Sequence, residues 1–191
     1  INLAHAFARA GLSTLLVDAD PQGSVGLSLT RQSRLLSGFY DFLADPAIPM
    51  ERLIVPTRLE TFSLVAAGQA SDYEAGNGSS GSHLARVRAF LRKVSARRYD
   101  ICLIDTAAGL FGVTNDVIAS ADALILPQQA EPLGIRSVPK LLEGLNRLRI
   151  INPRLNVLGV CLTMLQQGLA VSTEAASTLR QLLPEEMLFQ T

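Results

Sequence analysis

Short unbroken apolar runs alternate along this chain with stretches in which apolar residues recur every three or four positions. The runs at 14–17, 62–66, 101–104, 123–126, 157–162 and 188–190 predict strands. A run that is apolar at consecutive positions fits a strand buried on both faces, the condition met in a parallel sheet. Helical spacing predicts helices at 84–96, 113–120, 135–148 and 172–182. Leu3, Phe7 and Ala10 share one face of a first helix, which Gly11 ends. Strand and helix in alternation predict an α/β fold, a mostly parallel sheet with helices on both faces.

At 191 residues and 48% hydrophobic content, the chain has material for one domain with a sizeable core, read here as 1–191. The polar, glycine-rich run 75–82 predicts a flexible surface loop. Ile1 opens inside an amphipathic helix without a capping residue or a preceding strand. The chain stops at Thr191, in or just after a strand, so it reads as a fold truncated at both ends.

Seventeen basic and seventeen acidic side chains cancel, so net charge calls for neither nucleic acid nor an anionic membrane, and such a contact needs a local patch. Cys102 and Cys161 lie singly inside apolar runs, which predicts small buried hydrophobes in a reducing compartment. No apolar run has the length of a membrane span and no secretory pattern opens the chain, so a cytoplasmic protein is expected.

Chemistry is concentrated where strands end. The first predicted strand runs straight into Asp18-Ala19-Asp20-Pro21-Gln22-Gly23. Carboxylates at i and i+2 of an extended chain point the same way, and the proline and glycine stop the strand just beyond them. Acids at the carboxyl end of a parallel strand stand at the sheet's ligand edge, where they suit a magnesium-and-phosphate site. A turn or capping role remains the alternative for Asp18. A second apolar strand ends in Ile104-Asp105-Thr106-Ala107-Ala108-Gly109, the presentation of a Walker B carboxylate.

In this order, the segments resemble the ParA/MinD family of deviant Walker A ATPases, and ParA-type partition ATPases most closely. The family run N-L-A-x-x-x-A-x-x-G-x-x-V-L-L-x-D-x-D-P-Q-G-N is matched from Asn2 to Ser24, with Ser24 in the last position. Its Y-D-x-x-x-I-D-x-P-P-S-L is matched from Tyr99 to Leu110, with Thr106, Ala107, Ala108 and Gly109 departing from it. Asn115, Ala121-Asp122, Ile125, Pro127, Gln129, Glu131 and Leu141-Leu142 continue the pattern.

The resemblance implies a P-loop NTPase-like fold whose phosphate loop would lie upstream of Ile1. On that basis the chain alone should expose unpaired strand edges and should not hydrolyse ATP, while its full-length parent does. The implied cofactors are ATP and Mg²⁺. Asp20 and Asp105 take the catalytic and magnesium-shell roles, Asp20 by helping to place the attacking water and Asp105 as the Walker B carboxylate. Asp18 and Met164 are the implied cofactor contacts. Ala107-Ala108 in place of two prolines should loosen the loop that senses the γ-phosphate. After Met164, Leu165-Gln166-Gln167-Gly168-Leu169 lacks the basic contact usual there.

Implied partners are a second copy of the chain joined through bound ATP, nonspecific DNA, and a ParB-like stimulating protein, with no membrane segment in this chain. The best basic patch is Arg86, Arg88, Arg92, Lys93, Arg97 and Arg98. Arg86, Lys93 and Arg97 form a stripe beside an apolar arc, either a phosphate track or a solvated outer face. His5 and His83 receive no function. The competing readings are a nonhydrolysing nucleotide-dependent scaffold and a receiver-like domain. The latter is disfavoured by the separation of Asp20 from Asp105 and by the lack of a lysine at a later strand end.

Overall fold

The computed structural model describes residues 1–29, 35–69, 82–166 and 169–189. They fall into two compact units, Ile1–Val117 and Ile118–Thr191. In the first unit, strands β1 (Thr14–Ala19), β2 (Ile54–Pro56), β3 (Phe62–Val65) and β4 (Ile101–Thr106) form a sheet in the order β2-β3-β1-β4. β1 is parallel to both neighbours, whereas β2 runs antiparallel at the edge. Every residue of β1 is buried, as an apolar run on a central parallel strand requires.

Alternation along β1 divides the core into two layers. Leu15, Val17 and Ala19 face one side and pack with α3 (Phe39–Ala44) and α5 (Ser82–Ser95). Leu16 faces the other side, against Ala4 and Ala8 of α1 (Asn2–Arg9) and Val25 of α2 (Ser24–Leu29). Helices therefore cover both faces of this sheet. The first side holds an aromatic cluster in which the Phe90 ring meets Phe39 and Phe42 edge-on, with centroids 5.1 and 5.3 Å apart. Cys102 packs against that core, and burial pushes its thiol up to about 12, which fits a small inert hydrophobe.

The basic stripe Arg86, Lys93 and Arg97 is half-buried and each of its cations has a partner within this unit. Arg86 donates to the carbonyl of Leu43, and the Lys93 ammonium donates to Pro46 O at 2.8 Å while lying 4.9 Å from the Phe42 ring centroid. Arg97 pairs with Glu51 of α4 (Met50–Leu53). Arg86 and Lys93 thus satisfy carbonyls at and beyond the end of the short α3, while Arg97 meets a carboxylate. Periodicity placed them beside the apolar arc, but could not show that α3 and α4 lie under them.

The second unit contains β5 (Ala123–Gln129) and β6 (Asn156–Thr163), paired in parallel, with α6 (Gly112–Ile118) leading into it and α7 (Pro132–Ile151) and α8 (Ala170–Leu182) following the strands. A bulge at Leu158 and Gly159 shifts the register of β6, with Gly159 at φ +151°. The predicted last strand is reduced to one bridge, Leu188 to Val160, and Gln190 lies outside the described residues.

The predicted strands at 14–17, 62–66, 101–104, 123–126 and 157–162 are all present. α7 starts at Pro132 rather than 135, as proline at the first helical turn allows. Sequence periodicity missed α2, α3, α4 and β2, each six residues or shorter, because such segments contain too few turns to show a period. Of the predicted loop 75–82, all but Ser82 lies outside the described residues, and Ser82 begins α5.

Candidate functional site

β1 and β4 run side by side to the same edge of the sheet, and their last residues set the geometry. Asp18 is in register with Asp105, and Ala19 with Thr106. Asp20 follows one residue beyond the ladder, half-buried. The topology thus brings together the three carboxylates that the two separate motifs offered.

Asp18 is fully buried, and both of its oxygens are engaged by backbone. Oδ1 accepts the Asp20 N–H at 3.3 Å and Oδ2 accepts the Gly26 N–H at 3.1 Å. It therefore ties the end of β1 to the first turns of α2, which is the turn-and-capping alternative. Its pKa is raised, chiefly by burial and further by the charges of Asp105 and Asp20, while the two backbone bonds lower it.

Asp20 makes a tight turn of its own. Its Oδ1 accepts the Gln22 N–H at 2.9 Å and its carbonyl accepts the Gly23 N–H at 2.9 Å. Gly23 takes φ +67°, which a glycine accommodates without strain. Asp105 stands on the outer rim of β4, where water displaced from one side of its carboxyl is the main cause of a raised pKa and the charge of Asp20 adds to it. Just beyond, Gly109 sits at φ +95°, and a Cβ there would lie 2.5 Å from the ring of Phe111, a side chain that is 61% exposed.

Met164 belongs to the other compact unit, at the end of β6. It is 72% exposed and held at φ 55°, a strained value for a side chain of that size, with Gln129 Nε2 donating to its sulfur at 3.3 Å. Gln166 N–H donates to Ser172 Oγ at 3.2 Å, while Gln167 and Gly168 lie outside the described residues. His83 is buried near Asp116, whose pKa is raised by burial and lowered by the charges of His83 and Arg88.

Among the described residues, no three His, Cys, Asp or Glu side chains converge as a metal site. Asp20 and Asp105 nevertheless repel each other at one edge, and a hard cation would relieve that repulsion. Two carboxylates beside water and phosphate oxygens form a donor set that suits magnesium.

Residues 1–157 match the AAA_31 family, described as an AAA domain. The chain is 34% identical to the chromosome partitioning protein ParA of Caulobacter vibrioides over 94% of this chain and 68% of that protein. It is 32% identical to the chromosome-partitioning ATPase Soj of Thermus thermophilus, over 94% of this chain and 68% of Soj. Among solved structures it resembles cobyrinic acid a,c-diamide synthase of Mycobacterium smegmatis with bound ATP analog and magnesium. That match has TM-score 0.80 and 27% identity, covering 94% of this chain and 73% of the other. With its parallel α/β architecture and strand-end carboxylates, this chain belongs to the ParA-type P-loop ATPase family.

Proposed function

We propose that this chain supplies the carboxylate side of an ATP- and magnesium-dependent ATPase site in a partition-type protein that moves or positions DNA or another cargo. The observation that carries this reading is the convergence of Asp20 and Asp105 on one sheet edge, close enough for Asp105 to feel the charge of Asp20. Asp105 would hold Mg²⁺ through water, and Asp20 would orient the attacking water and contact the magnesium shell. Mg²⁺ would neutralise the phosphate charge that builds up during phosphoryl transfer. The residues themselves position and neutralise, which is what that reaction needs in place of a strong base. Asp18, with both oxygens engaged, would support the turn that presents Asp20, and Met164 at the end of β6 would contact the nucleotide.

Homodimerisation through bound ATP, slow hydrolysis, nonspecific DNA binding and a ParB-like stimulating partner belong to the same reading. It is supported by the partition proteins ParA and Soj that the chain resembles. No helix among the described residues is long and apolar enough to cross a membrane.

A nonhydrolysing scaffold is favoured by one feature, the loop after β4 that carries Ala107-Ala108 where the family has two prolines. ATP turnover by the full-length protein, with and without DNA, separates the two, using Asp20→Ala as the control. Turnover above that control supports the ATPase, and turnover equal to it supports the scaffold.

A further inference from the structure

We infer that Tyr40 is a positioning residue for Asp20, its buried hydroxyl fixing the backbone from which that carboxylate is presented. This rests on the reading of Asp20 given above. The Tyr40 Oη donates to the Ala19 carbonyl at 2.8 Å across 21 positions of sequence. Ala19 is the last residue of β1 and lies between the two aspartates, and its pairing with Thr106 is the last rung of the β1–β4 ladder. Asp20 therefore begins where sheet pairing stops. Its own amide makes, among the described residues, the long 3.3 Å bond to Asp18. A hydrogen bond to the preceding carbonyl restrains the peptide plane that sets the direction of Asp20.

The tether is anchored at both ends of α3. At the start, Phe39 N–H donates to Ala66 O at 2.8 Å and Tyr40 N–H to Ala67 O at 2.9 Å, fastening the helix to the end of β3. The Asp41 carboxylate accepts the N–H groups of Gly38 at 2.8 Å and Gln69 at 3.0 Å, closing the same junction. At the far end, Arg86 and Lys93 hold the carbonyls of Leu43 and Pro46. The ring itself is fully buried and meets Phe39 edge-on at 5.4 Å. The other fully buried aromatics of this core, Phe39, Phe42 and Phe90, are phenylalanines. Packing alone would be served by a fourth, so the hydroxyl is what tyrosine adds at this position.

The test compares Tyr40→Phe with Phe42→Leu in the full-length protein. The first deletes only the hydroxyl, and the second loosens the same core without touching it. In nucleotide-free protein, exchange of the Gln22 and Gly23 amides should speed up on the order of tenfold in Tyr40→Phe and stay near wild type in Phe42→Leu. In turnover, Tyr40→Phe should lower kcat on the order of tenfold with KM for ATP unchanged, while Phe42→Leu lowers Tm more and kcat less. Unchanged exchange in Tyr40→Phe, or kcat losses that follow Tm alike in both variants, would overturn the tether. Wild-type turnover no higher than that of Asp20→Ala overturns the ATPase reading instead, and leaves the exchange result to decide the tether.

Discussion

Asp18 and Asp105 are register partners on adjacent parallel strands, yet they play opposite parts: one is sealed beneath the turn with both oxygens bonded to backbone, and the other stands on the open rim. Parallel pairing puts their backbones level. The chain beyond each strand makes the difference, since β1 folds back into α2 over Asp18 while β4 opens into the Thr106 to Gly109 loop.

Replacing Asp18 with alanine should therefore act on stability. It strands the buried Gly26 amide, at a cost of about 1–3 kcal/mol, and leaves the half-buried Asp20 amide without its partner at a smaller cost. Asp18→Asn keeps one acceptor but sets an NH₂ against the other amide, so it should recover only part of the loss. Urea unfolding followed by circular dichroism measures both.

Asp105→Asn should do the reverse in the absence of nucleotide. Its folded pKa lies above the ordinary value of 3.8, so the folded state holds the proton more tightly than the unfolded chain. That contribution to stability is fully present below 3.8 and is lost as pH rises through the folded value. At neutral pH the wild type has lost it, and the asparagine variant has no such loss. The variant's Tm relative to wild type should rise between acid and neutral pH; a constant difference would contradict a raised Asp105 pKa.

Lys93→Ala removes a hydrogen bond to Pro46 O and the cover of the Phe42 ring together, with an expected loss of about 1–2 kcal/mol. Arg92 is exposed on the same helix, and Arg92→Ala should stay within about 0.5 kcal/mol of wild type. If α5 also contacts DNA, Arg92→Ala should weaken binding evenly across sequences and lower the slope of log affinity against log salt by about one. Thermal melts and salt-titrated DNA binding read the two effects separately.

Gly38→Ala should be among the most damaging single-atom additions. A Cβ there would sit 2.0 Å from Ala66 O and 2.6 Å from Gly68 N, both backbone atoms that cannot swing away. The start of α3 would have to lift from the end of β3, at an expected cost of about 2–3 kcal/mol or more. Gly11→Ala is the matched comparison. Its Cβ would meet nothing within 4 Å, so only the strain of φ +89° remains.

The hydrophobic runs and the strand-end acids were legible in sequence because both depend on local rules. A central strand buried on both faces is apolar at most of its positions, and a carboxylate placed just before a Pro-Gln-Gly turn must emerge at the strand's end. The motif order then pointed to the family. Short elements such as α3 and β2 were not legible, since six residues or fewer carry almost no period. The fate of the basic stripe was equally hidden. A helical wheel reports the angle of Arg86, Lys93 and Arg97 but not the carbonyls of α3 and its following turn that meet the first two, nor the Glu51 carboxylate that meets the third.

The order of residues alone establishes which acids could act and that they reach one edge of a parallel sheet. Their division of roles came from packing. The fold of α2 over the end of β1 gave Asp18 two backbone donors, while β4 left Asp105 at the rim. Tyr40, silent in sequence as one aromatic among several, acquired its contact with Ala19 because β3 and α3 carry it across 21 residues to a carbonyl at the end of the β1–β4 ladder. Local chemistry is written along the chain, but the partner that satisfies a buried polar group is chosen when distant segments meet.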